Sequence, residues 1–308
     1  LNQSFFSNGK LLLTAEYFVT QGALALAIPT SFGQTLFVQE KPFTESELWW
    51  KSKLHDDKVW YSGTWNLPEI TNMGLNDSIT KKLSHILLEA KKMNPNFLND
   101  NQRFEVETKL DFNRNWGLGS SSTLINNVAQ WAKVNAFELQ FKCFGGSGYD
   151  VACAQNENPI WYQLKDKEPW FEQVDYKPPF ANEMYFVYLN KKQKTEDSLK
   201  KMDGLKIDMN AIATMNDLTK SFTFQYNLTD FEKLIVEHEK LVSKTLGLTM
   251  VKSIYFNDFW GEVKSLGAWG GDFVLATSSR DSTATRKYFA DLGFDTIIEF
   301  NQMIKGEN

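Results

Sequence analysis

The stretch "NWGLGSSST", residues 115–123, sets two glycines and a row of hydroxyls directly before an apolar run. Downstream, Leu124, Ile125, Val128, Ala129 and Ala132 fall at helical spacing. Upstream, "RFEVETKL" (103–110) puts Phe104, Val106, Thr108 and Leu110 on alternate positions, the pattern of a half-buried strand. The glycines therefore stand at a strand-to-helix junction. Amides at a helix start have no partner within the helix, and the helix dipole favours negative charge there. Glycine adopts the positive φ angles that turn successive amides toward one point. Serine adds hydroxyls that reach an anion or its metal. Such a junction suits a polyphosphate; a plain glycine turn followed by a serine N-cap is the other reading the same letters allow. The dinucleotide fingerprint G-x-G-x-x-G fails at Ser122, and no G-x-x-x-x-G-K-[ST] loop occurs.

Outward from the junction, the first ~65 residues read mainly as strands. "LLLTAEYFV" (11–19) and "GQTLFVQE" (33–40) are β-rich, and "ELWWKSKLHDDKVWYSGTW" (47–65) reads as two strands around an "HDDK" turn. Ile79, Leu83, Ile86, Leu87, Ala90 and Met93 share one helical face. Strands resume at "IWYQL" (160–164) and "EMYFVYL" (183–189). Helices follow over 208–222 and from Thr229, where Glu232 three residues on completes a capping box. The tail reads strand–helix–strand through "DFVLATSS", "RDSTATRKYFADLG" and "DTIIEF". A domain boundary is expected near residue 180, dividing 1–180 from 181–308.

Bulk properties narrow the function classes. The 308 residues are 42% hydrophobic and 23% charged, ordinary globular composition. A net charge of −5 argues against a general nucleic-acid or membrane-surface binder, so a bound anion must be held by a local arrangement. No apolar run, Ala23–Ile28 included, approaches the ~20 residues of a membrane helix. The N-terminal stretch lacks a basic segment and a small-residue cleavage site, so a cytoplasmic location is expected. Cys143 and Cys153, with His55, His85 and His238, build neither a disulfide framework nor a zinc cluster.

Two further segments change the weight of the junction: "SNGKLLLTAEYFVTQGALALAIP" (7–29) and "GGSGYDVACA" (145–154). With "GLGSSS" (117–122) and "SLGAWGGDFVLA" (265–276), they resemble, in order, the motifs of the GHMP kinases. "GKLLLTAEY", "GSGYDVACA" and "GGDF" are most similar to the phosphomevalonate kinase branch, with mevalonate kinase next. The resemblance implies an α+β, two-domain architecture, with a ribosomal-S5-domain-2-like N-terminal part and a ferredoxin-like C-terminal part. It implies ATP and Mg²⁺ as cofactors and phosphorylation of a small acidic metabolite. Gly117, Leu118, Gly119, Ser120, Ser121 and Ser122 would hold the ATP phosphates, with Ser121 touching the metal. Asp150 and Lys10 would be catalytic. Glu16, Tyr17, Ser147 and Gly148 would line the substrate, and Gly267, Gly270 and Gly271 would form the third glycine motif.

The chain departs from the family pattern at Asn8, Ala15, Asn113, Ser122-Thr123 and Trp269, which leaves the acceptor open. A phosphate acceptor calls for cations more than for a base. Lys191, Lys192 and Lys194, with Arg103, Arg114 and Arg286, are the candidates. A diphosphomevalonate decarboxylase-type lyase and a non-catalytic small-molecule sensor on the same fold are the alternatives. The partner expected is a small-molecule substrate, with no nucleic acid and no membrane; the oligomeric state is left open.

Overall fold

The computed structural model describes residues 1–42, 46–74, 76–99, 102–191, 206–267 and 271–305. The chain forms two compact units, each assembled from several segments. The first takes Leu1–Gly9, Phe32–Arg114 and Leu118–Gln155; the second takes Lys10–Ser31, Asn115–Gly117 and the described residues from Asn156 onward. The boundary expected near 180 falls inside the second unit. Strands β1 (Asn2–Leu12) and β2 (Ala25–Pro42) each contribute residues to both units, so no single cut follows the compact bodies.

In the first unit, β3 (Glu47–Lys53), β4 (Val59–Asn66), β5 (Thr71–Asn72) and β6 (Gln102–Leu110) join the later part of β2 in the order β5-β4-β3-β6-β2. Pair β3–β6 is parallel and the others along this path are antiparallel. The alternation read in the sequence is real: Phe104, Val106, Thr108 and Leu110 are all buried. Helix α1 (Ser78–Met93) begins at Asp77, whose carboxylate accepts from the Ile79 and Thr80 amides. Its Leu83, Ile86, Leu87 and Ala90 enter a core with Trp50, Trp65 and Phe104. Each such large apolar side chain contributes about 1.5–3 kcal/mol through burial, far more than a cap. Helices α2 (Ser120–Ala132), α3 (Ala136–Cys143) and α4 (Tyr149–Gln155) complete the unit.

In the second unit, β7 (Ile160–Lys165) pairs with the start of β2 and with β8 (Glu168–Gln173). Strand β9 (Met184–Tyr188) leads through helices α5 (Met209–Thr223), α6 (Leu228–Leu246) and α7 (Val251–Tyr255) to β10 (Val263–Ser265) and β11 (Phe273–Thr277). Helix α8 (Ser282–Asp291), β12 (Ile297–Glu299) and α9 (Phe300–Met303) close the described chain. The antiparallel sheet runs β10-β11-β9-β12. With helices between the first and second strands and between the third and fourth, this is the β-α-β-β-α-β connectivity of a ferredoxin-like fold.

Two local expectations are corrected. "LLLTAEYFV" is not one strand: β1 stops at Leu12, Ala15 and Tyr17 take φ of 65° and 66°, and a 3₁₀ turn follows over Phe18–Gln21. Helix α6 is capped by Asn227, whose side chain accepts from the Asp230 amide at 2.9 Å, rather than by Thr229. The cap lies two residues earlier because Asn227 takes the extended conformation a cap requires, which places Thr229 inside the first turn.

Candidate active site

The glycine bend forms as the residue types dictate. Gly117 and Gly119 take φ of 68° and 90°, and Gly119 is the N-cap of α2 with no side-chain cap. The first backbone bond of the helix runs from the Thr123 amide to the Gly119 carbonyl at 3.0 Å. The amides of Ser120, Ser121 and Ser122 have no acceptor among the described residues. Ser122 is buried and its hydroxyl donates to the Gly119 carbonyl at 3.0 Å. Ser121 is exposed, with no hydroxyl partner among the described residues. The serine N-cap reading is therefore not what forms; the three amides stay available to an outside acceptor.

A buried polar chain fixes α2 in its unit. Ser7 donates to Asn127 Oδ1 at 2.7 Å, Asn127 donates to the Gln34 carbonyl at 2.9 Å, and Asn126 donates to Ser7 Oγ at 2.9 Å. Gln155 of α4 donates to Asn126 Oδ1 at 2.9 Å. Before α4, Gly145, Gly146 and Gly148 have φ of 67°, 86° and 85°, and Ser147 and Gly148 are buried. The Gly148 carbonyl accepts from the Val151 and Ala152 amides, so Asp150 lies within the first turn and is not the cap. The half-buried Asp150 carboxylate accepts from the Val151 amide at 3.2 Å.

Within the second unit, Lys10 reaches the bend: its ammonium donates to the Gly117 carbonyl at 2.8 Å. A Cβ on Gly117 would clash with the Asp272 carboxylate, which sits directly against the glycine. Asp272 itself holds a φ of 54°, pinned by its amide on the Lys191 carbonyl and its carbonyl on the Leu189 amide. Burial and the Asp272 charge together raise the Tyr188 phenol above its ordinary value, and that hydroxyl donates to the Asn115 carbonyl at 3.1 Å. Asp272 is the third letter of "GGDF", and nothing local in the sequence marks its contact with Gly117.

The Glu16 side chain has no exposed surface, and Oε1 lies 2.5 Å from Lys264 Nζ, also fully buried. The Ala15–Tyr17 turn, with positive φ at both ends, sets Glu16 against that ammonium, and a buried ammonium demands a counter-charge. Burial works to raise the Glu16 carboxyl, but Lys264 and His238 outweigh it and the net shift is downward. Tyr17 is half-buried. Gly267 has a φ of 65° and Gly271 is buried, while Gly270 and Trp269 lie outside the described residues. Of the candidate cations, Arg103 stacks on Trp49, Arg114 on Trp60, and Arg286 pairs with Glu299 at 2.9 Å. Lys191 donates to the Tyr255 hydroxyl, and Lys192 and Lys194 lie outside the described residues.

Among the described residues no three His, Cys, Asp or Glu side chains gather to hold a metal, and no helix is long and apolar enough to cross a membrane. No protein-family model and no curated protein matches the sequence. Solved structures do. The mevalonate kinase of Methanococcus jannaschii superposes with a TM-score of 0.72 at 18% identity, covering 100% of this chain and 99% of that one. The Streptococcus pneumoniae phosphomevalonate kinase, solved with phosphomevalonate and AMPPNP, gives 0.71 at 17%, covering 96% and 99%. Lactococcus lactis galactokinase, solved with galactose, gives 0.71 at 14%, covering 100% and 94%. The chain has the two-domain α+β fold that these GHMP kinases share.

Proposed function

We propose that the protein is an ATP-dependent small-molecule kinase of the GHMP type, acting on a small acidic metabolite, with phosphomevalonate the first acceptor to test and mevalonate the second. The observation that carries this reading is the start of α2: three unpaired amides, no side-chain cap, and one exposed hydroxyl at Ser121. That is a ready anion site. Phosphoryl transfer asks the protein mainly for positioning and charge stabilisation, and the amides of Ser120–Ser122 supply both to a triphosphate. Lys10, held at the Gly117 carbonyl, offers a cation to the transferring group. Asp150, partly exposed in the first turn of α4, accepts or orients the acceptor's proton.

The donor set fits Mg²⁺ that arrives on the nucleotide. With no carboxylate cluster among the described residues, Ser121 is the protein's ligand candidate and the remaining donors are phosphate oxygens and water. When bound, the metal neutralises charge on the phosphates. The test is ADP release over mevalonate, phosphomevalonate, galactose and homoserine. Turnover with an acidic acceptor supports the reading. ATP binding without turnover on any acceptor points to the sensor alternative, CO₂ release points to the lyase, and absence of ATP binding overturns the reading.

A further inference from the structure

The second unit buries a group of charges that the proposed chemistry leaves unused. His238 on α6 has no exposed side-chain surface. Its Nε2 lies 3.1 Å from the Ala15 amide nitrogen, which donates to it, and also 3.1 Å from Glu16 Oε2. These two contacts make opposite demands. The amide needs a bare nitrogen lone pair, whereas the carboxylate needs a proton on that nitrogen. One protonation state satisfies one of them.

The surroundings record the conflict. Glu16 Oε2 and His238 Nδ1 are buried without a hydrogen-bond partner, as are both carboxylate oxygens of Glu239. Buried polar atoms are normally paired, so four orphans around one imidazole are informative. The groups facing it are Glu16 from the turn after β1, Glu239 from its own helix with Oε1 at 3.8 Å from Nδ1, and Lys264 of β10 through Glu16. Helix α5 sets the Phe222 ring beside it, edge-on, with ring centroids 5.9 Å apart. The Ala15–Tyr17 turn that His238 grips has positive φ at Ala15 and Tyr17, which for non-glycine residues persists only when neighbours enforce it.

We propose that His238 is a positioning residue that holds the Ala15–Tyr17 turn in one of two hydrogen-bonded states, selected by protonation of Nε2. In the neutral state, Nε2 accepts from the Ala15 amide and fixes the turn. On lowering the pH, a proton from solvent binds Nε2, the Ala15 bond breaks, and Nε2–H donates to Glu16 Oε2. The turn is then released at its first residue. The consequence for substrate binding rests on the reading of Lys10 and Tyr17 as site residues; the hydrogen-bond exchange does not.

The test follows the Ala15 amide and the His238 imidazole nitrogens by NMR from pH 8 to pH 5 in the full chain. The Ala15 amide proton moves upfield in one step, with the midpoint of the Nε2 signal, and H238Q abolishes the step. An Ala15 signal that is flat with pH, or that titrates with a different midpoint from Nε2, overturns the proposal, as does an unchanged step in H238Q. Should H238Q fail to fold, the matched midpoints in the wild-type chain decide alone. If the chain is a kinase, KM for the acceptor rises through the same midpoint while KM for ATP does not. Absence of ADP formation with every acceptor would end the kinase reading and leave the NMR result standing.

Discussion

The sharpest expectations concern single residues. Asp150→Asn keeps the shape and the contact to the Val151 amide but removes the charge. Nucleotide affinity should stay within about twofold while turnover falls by roughly 10² or more; rates like those of the wild type would remove Asp150 from the chemistry. Gly117→Ala places a Cβ at φ 68° and against the Asp272 carboxylate. The left-handed backbone alone costs about 1–2 kcal/mol, so the unfolding free energy should fall by that amount, the urea midpoint should drop accordingly, and ATP affinity should fall with it. An unchanged midpoint would mean the bend tolerates a side chain. At this scale the site was only partly legible. Gly117, Gly119 and Ser121 were readable because unusual φ and hydroxyls have residue-type signatures. The Glu16–Lys264 pair was not, since nothing local marks two residues 248 positions apart as partners.

Elements that carry a strong period were readable from local pattern. The face of α1 and the alternation of β6 appear where periodicity places them, since burial of one face dominates their energetics. Where local rules compete, the reading slipped. "LLLTAEYFV" has β-prone letters throughout, yet the turn at Ala15–Tyr17 is held by the Ala15 contact to His238, a tertiary cause. Short pieces such as β10 and α4 are below the length at which a period shows. The start of α6 offers a direct check. Asn227→Ala removes the cap on the Asp230 amide and should cost about 1 kcal/mol, whereas Thr229→Ala should cost only a few tenths by comparison. Equal losses in thermal unfolding would restore the capping box at Thr229.

For the whole molecule, buried charge ties stability to pH. Glu16 has a folded value below its ordinary 4.5, so it contributes stability above that pH and loses it as pH falls through the lowered folded value. Glu16→Gln leaves Lys264 buried without a counter-charge, a loss of about 3–5 kcal/mol at neutral pH, and the gap to the wild type should narrow as pH falls through the lowered folded value of Glu16. A gap independent of pH would contradict the ionised pair. The fold was legible at this scale only through four ordered motifs, because interleaved units leave no compositional seam; the units trade segments at Gly9, Ser31 and Gln155, where the chain shows no linker. The central claim is that the open amides at the start of α2 recognise a triphosphate. Calorimetric titration of ATP and, separately, adenosine into the protein tests it most directly. The account predicts saturable one-site heat with ATP that adenosine does not reproduce; no heat with ATP, or equal heat with both, would contradict it.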